Sequence, residues 1–180
     1  TLGDFGHALA GATVADIGRP VFASADNTLI FTAAAQSYAG MVQDVPATGQ
    51  IILRIDPNRT KIKTITHLIE DLGAGGDITA RAIHGFDQSV WIVGGRVVNQ
   101  STAAAGINDA NTCVVTLTTG AGTVASKTFD TPNPFPGTNA SIGMGTITNA
   151  HAAIGAVLSV AVTNGATANP GTFLVEVDYV

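Results

Sequence analysis

Between Thr172 and Tyr179 the side chains alternate. Phe173, Val175, Val177 and Tyr179 fall on one face of an extended chain, and Thr172, Leu174, Glu176 and Asp178 on the other. A period of two is the mark of a strand with one buried face. The pattern recurs: Cys113, Val115 and Leu117 oppose Thr112, Val114 and Thr116, and Leu158, Val160 and Val162 share one face of Ala156–Thr163. With Ile78–Ile83, Ser89–Val93, Arg96–Asn99, Val124–Phe129 and Ser141–Thr148, about eight short strands lie between turns rich in Gly, Asn and Pro. Such spacing points to a β-sandwich or jelly roll over residues 78–180. Asn133-Pro134-Phe135-Pro136-Gly137 is read as a loop, because two prolines do not fit a ladder.

The preceding half reads as a smaller β unit over residues 14–58. Val21–Ser24 and Thr28–Phe31 flank a turn at Ala25-Asp26-Asn27, and Tyr38–Val42 and Gln50–Ile55 flank one at Pro46-Ala47-Thr48-Gly49. Asp, Asn, Pro and Gly supply the backbone geometry that tight turns require. The four runs make a meander, barrel-like in outline. Residues 59–77 read as a linker holding one strand around Lys61–Thr66, with His67–Leu72 either a helical turn or a strand end. Gly73-Ala74-Gly75-Gly76 is a breaker, and Gly94-Gly95 a hairpin turn. The fold class expected is therefore all-β, a small meander followed by a β-sandwich.

Charge narrows the range of functions. Among 180 residues there are 8 Lys and Arg against 13 Asp and Glu, a net charge of −5, and only 12% of residues are charged. Soluble domains average about 25%. So few cations give no means of neutralising a phosphate backbone, so no nucleic-acid partner is expected. No apolar run approaches the roughly 18 residues of a membrane helix, so no membrane partner is expected either. Thr1–Ala10 lacks a basic region followed by an apolar run, so no signal peptide is expected. A chain poor in charge and rich in Gly and β-branched residues suits a subunit that buries surface in an assembly. A compact β domain whose surface is polar through Thr, Ser and Asn is the other reading.

Chemistry-bearing constellations are sparse. His7, His67, His84 and His151 never pair at metal-ligand spacing. Cys113 is the single cysteine, on an apolar strand face where a thiol acts as a small hydrophobe. The Gly-rich segments lack the Gly-Lys-Ser/Thr of a phosphate loop, and Asn139–Gly143 lacks the Gly-x-Ser-x-Gly of a nucleophile elbow. Asp26-Asn27, Asp56-Pro57-Asn58 and Asn108-Asp109-Ala110-Asn111 could offer oxygens to calcium, but turn capping explains them more simply. Glu176 and Asp178 share a face, as a glycosidase pair would, yet read as the solvated face of the last strand. Asn58, Asn99 and Asn139 stand in Asn-x-Ser/Thr acceptors, relevant only to a secreted chain. The expectation is a non-enzyme with no catalytic residue, metal site or cofactor.

Two segments carry a resemblance. Ala15-Asp16-Ile17-Gly18-Arg19-Pro20-Val21-Phe22-Ala23-Ser24-Ala25-Asp26-Asn27-Thr28-Leu29, followed by Ser37-Tyr38-Ala39-Gly40-Met41-Val42, resembles the small β unit of tailed-bacteriophage head decoration (cement) proteins. There a Gly-x-Pro-Val-Tyr-Ala-Ser-Asp-Asp stretch leads into a hairpin and a Gly-x-Val strand follows. This chain has Phe22 for the tyrosine and Ala25-Asp26 for the aspartate pair. Gly155–Thr163 and Pro170–Tyr179 resemble the β-sandwich that often follows. The resemblance implies a structural homotrimer on the outer surface of a virion, with the major capsid protein as partner. A carbohydrate- or receptor-binding β-sandwich of a phage fibre or bacterial surface protein remains the alternative.

Residues 1–13 read as an N-terminal arm. With Gly3, Gly6 and Gly11 and few large side chains, such a segment cannot offset its own ordering entropy of about 1–2 kcal/mol per residue. The arm is expected to be mobile until it meets a partner, with Phe5 and Leu9 as its anchors on the capsid.

Overall fold

The computed structural model describes residues 3–25, 28–31, 37–55, 62–101 and 105–180. The chain divides into two compact units, Thr1–Lys63 with Val180, and Thr64–Tyr179. Both are built of antiparallel strands.

The first unit holds β1 (Gly3–Ala8), a short 3-10 turn (Val14–Asp16), β2 (Pro20–Ala25), β3 (Thr28–Ile30), β4 (Ser37–Ala47) and β5 (Gln50–Ile55). They form one sheet in the order β1-β5-β4-β2-β3. All four meander strands form. The β4–β5 turn closes with Ala47 opposite Gln50, and Gly49 takes φ +79°, a conformation that glycine adopts without a Cβ penalty. In the first hairpin Ala25 lies opposite Thr28, and the turn residues Asp26 and Asn27 fall outside the described residues, as do Asp56-Pro57-Asn58. Leu9, Ala12, Val21, Val42, Val45, Ile51 and Leu53 make the core, with Leu29, Phe31 and Ala39 packed against it.

The arm expectation is corrected here. Gly3–Ala8 is a strand, paired residue for residue with β5 from Gly3↔Ile55 to Ala8↔Gln50. Leu9 is 3% exposed and Ala12 is fully buried. The segment does not fold alone: β5 supplies its backbone partners and the meander core takes in its apolar end.

The second unit holds β6 (Lys63–Ile69), β7 (Ile78–Gly85), β8 (Val90–Asn99), β9 (Cys113–Thr119), β10 (Gly122–Phe129), β11 (Ser141–Gly143), β12 (His151–Ala152), β13 (Val157–Asn164) and β14 (Phe173–Tyr179). One sheet runs β10-β9-β13-β7 and the other β11-β8-β14-β6, with β12 also on β8. Their inward side chains share one core. Cys113, Val115 and Leu117 from β9, Leu158, Val160 and Val162 from β13, and Phe173, Val175 and Val177 from β14 are all fully buried, and Tyr179 packs against them. The Asn133–Gly137 segment is a loop whose Phe135 reaches inward, 4.7 Å from the Phe129 ring and 5.5 Å from Phe173.

Several boundaries differ from the sequence reading, and of the expected strand Ser141–Thr148 only Ser141–Gly143 forms one. Lys63–Ile69, placed in a linker, is the strand next to β14, with Ile69 fully buried. Gly94-Gly95, read as a turn, lies inside the single strand β8. The glycines answer a packing need. A Cβ on Gly95 would sit 3.2 Å from Leu117 Cδ1 and 3.5 Å from Met144 Sδ, so a side chain there would crowd the core.

Candidate functional site

Most of the polar groups singled out from the sequence are engaged in holding structure. Arg96 on β8 donates from Nε to Glu176 Oε2 at 2.5 Å and from Nη1 to Asp178 Oδ2 at 2.8 Å. Thr64 Oγ1 donates to the other oxygen of Asp178 at 2.6 Å. The two carboxylates of β14 are therefore tied to one guanidinium and a threonine, rather than set apart for acid–base work. Asn108 and Asn111 exchange backbone hydrogen bonds of 3.0 Å, while Asn108 Oδ1 accepts from Ala110 N. Asp109 accepts from Thr131 N and Asp130 from Asn133 N. These oxygens cap turns. Among the described residues no three His, Cys, Asp or Glu side chains gather as a metal site, and no helix is long and apolar enough to cross a membrane.

The histidines are dispersed. His84 packs 4.9 Å from the Phe86 ring and His151 5.1 Å from the Trp91 ring. His67 faces inward on β6 with a buried Nε2 that has no hydrogen-bond partner among the described residues. Burial, and then the positive charge of Arg81, hold its pKa below the usual histidine value. Burial pushes the Cys113 thiol up to about 12, so no thiolate forms near neutrality. Asn99 is 2% exposed and its amide donates to Pro136 O while its oxygen accepts from Ser101 N, so this glycosylation acceptor is closed.

One open edge belongs to β1 of the small unit. β1 ends its sheet. Leu9 N donates to Gly49 O at 2.9 Å, which continues the β1–β5 ladder by one step. In an antiparallel ladder successive residues turn their backbone groups to opposite sides. The odd residues Phe5 and His7 therefore bond to β5, and the N–H and C=O groups of Asp4, Gly6 and Ala8 face outward. None of these has a backbone partner among the described residues. The Ala8 carbonyl is met by its neighbour's imidazole, His7 Nδ1, at 2.8 Å.

The side chains complete the edge. Cross-strand partners share a sheet face. Phe5 lies opposite Leu53 and His7 opposite Ile51, both core residues. Phe5 is nevertheless 55% exposed. On the other face Asp4 lies opposite Arg54 and accepts from its Nε at 3.2 Å. A shallow groove of about 280 Å³ runs beside the strand, lined by Gly6, His7, Ala8, Pro46, Gln50 and Ile52 among others. Of the two anchors taken from the sequence, Phe5 is on the surface and Leu9 is in the core. The edge itself went unread, although Phe5, His7 and Leu9 stand at strand spacing and could have marked it.

Compared with known proteins, the chain matches no family model, no curated protein and no solved structure.

Proposed function

We propose that this chain is a capsid decoration protein, a non-enzymatic subunit that binds the outer surface of an assembled phage head and stabilises it by bridging capsomers. The observation that carries the reading is the pairing of the two segments that resemble the decoration-protein β unit. Pro20–Ala25 and Ser37–Ala47 are neighbouring strands, with Pro20 opposite Met41, Val21 opposite Gly40 and Phe22 opposite Tyr38. The aromatic at position 22 is 1% exposed and meets the Tyr38 ring edge-on at 6.0 Å. The motif residues thus work together as one structural unit.

Composition supports the same reading. A protein with 12% charged residues and exposed apolar side chains at Phe5, Val14 and Ile17 suits a life in contact with other surfaces. The partners are the major capsid protein and further copies of this chain, as a homotrimer. Binding the assembled shell in preference to free capsomers stabilises the shell by mass action. A trimer strengthens each weak contact by making three at once. Leu9 has no part in this attachment, because it belongs to the core.

Co-sedimentation tests the proposal. Heads of the phage whose genome encodes the chain, purified without it, should carry the protein down saturably, and dissociated capsid protein should not. Protein left in the supernatant with intact heads would overturn the reading.

A further inference from the structure

The geometry points to a second role for β1: it joins two copies of this chain by antiparallel pairing of one β1 with the other, centred on Phe5. Asp4 and Gly6 both present N–H and C=O on the open edge, and the Ala8 carbonyl is already met by His7. A two-fold axis perpendicular to the sheet pairs residues of like face. Centred on Phe5, it sets Asp4 opposite Gly6 of the second copy, and Gly6 opposite that copy's Asp4. Each pair exchanges two backbone hydrogen bonds, so the N–H and C=O groups of Asp4 and Gly6 on the two strands, eight in all, are used in about four bonds. Centred on Gly6 instead, the register would set Asp4 against Ala8, whose carbonyl His7 contests.

Side-chain fit favours the same register. Phe5 meets Phe5 of the second copy at a non-hydrogen-bonded position, where Cα atoms approach to about 4.5 Å and aromatic pairs are favourable. Asp4 lies opposite Gly6 and His7 opposite Gly3, so both polar side chains meet a glycine. Natural edge strands are guarded by lysine, proline or an unpaired charge. β1 contains neither lysine nor proline, and its one carboxylate is paired with Arg54 on its own sheet. Pairing would cover the exposed ring of Phe5 and extend the five-stranded sheet to ten strands. The inference is independent of the capsid reading: it concerns contact between copies, on a head or free in solution.

The test uses the whole chain. Two thiols introduced by Phe5→Cys would face each other within the roughly 4.4–6.8 Å Cα window of a disulfide. Thiols introduced by His7→Cys would stand about 14 Å apart in this register. Mild oxidation should link Phe5→Cys into dimers at least about tenfold faster than His7→Cys. Cys113 is buried and does not compete. Phe5→Lys sets two ammonium groups face to face, and sedimentation equilibrium should show the pairwise step, distinct from trimer formation, weakened at least about tenfold, with the circular dichroism of the fold unchanged. Equal cross-linking at both positions, pairwise association indifferent to Phe5→Lys, or a wild-type chain that shows no pairwise association would each overturn the inference.

Discussion

Phe5 and Leu53 lie directly opposite each other on one face of the small sheet, yet Leu53 is 5% exposed and Phe5 is 55%. At Phe5 the apolar face reaches the open edge of the sheet, and there its cover ends. Burial rather than residue type therefore sets what each side chain contributes.

Truncating the pair separates the two roles. Leu53→Ala removes core methyls and should destabilise the small unit by about 2–4 kcal/mol, as buried leucines do. Phe5→Ala should cost below about 1 kcal/mol in dilute protein, since about half of its ring is already in water. Urea unfolding of both variants checks this. A Phe5→Ala cost equal to that of Leu53→Ala would mean that the ring is covered.

Arg96 is the hinge of the charge arrangement on β8 and β14. Replacing it with methionine leaves Glu176 and Asp178 side by side without their cation. The side chains are partly solvated, 39% exposed for Arg96 and about 20% for each carboxylate, so screening limits the loss. The expected cost is about 1–2 kcal/mol. It should shrink in 1 M salt, where the Debye length is about 3 Å and carboxylate repulsion is screened. The triple variant Arg96→Met, Glu176→Gln, Asp178→Asn should recover most of the lost stability. Unfolding at two salt concentrations provides the check.

Two groups give the chain separable pH windows. His67 is held below the ordinary value of 6.5, first by burial and then by Arg81. The unfolded chain therefore takes up its proton first as pH falls. This contribution to stability is complete above about 6.5 and declines as pH falls toward the folded pKa. His67→Gln should flatten that decline between about pH 7 and 5. Asp16 acts lower. Burial would raise its pKa, but the Thr13 N–H at 2.8 Å and Arg19 at 2.7 Å outweigh burial and hold it below 3.8. Its contribution is present above 3.8 and is lost as pH falls through the folded pKa. Thermal melts across pH for wild type and His67→Gln should differ in the upper window alone.

Strands with clean alternation were readable from residues alone. Phe173, Val175 and Val177 point into the core as their spacing requires, and so do Val115, Leu117, Leu158, Val160 and Val162. Where the reading failed, a tertiary partner decided. Gly3–Ala8 has little apolar content of its own and becomes a strand because β5 offers an unpaired edge. Gly94-Gly95 has turn composition but lies in β8, where a Cβ on Gly95 would press against Leu117. Glu176 and Asp178 looked like a solvated face because Arg96 is 80 and 82 residues away in sequence. Local pattern carries no information about partners that distant.

The most direct measurement is an image of the head itself. Purified heads lacking the protein are incubated with it and reconstructed by cryo-electron microscopy, alongside untreated heads. A decoration protein predicts added density at fixed, symmetry-related positions on the outer surface of the shell, into which both β units fit. Reconstructions of treated and untreated heads that match would contradict the capsid assignment.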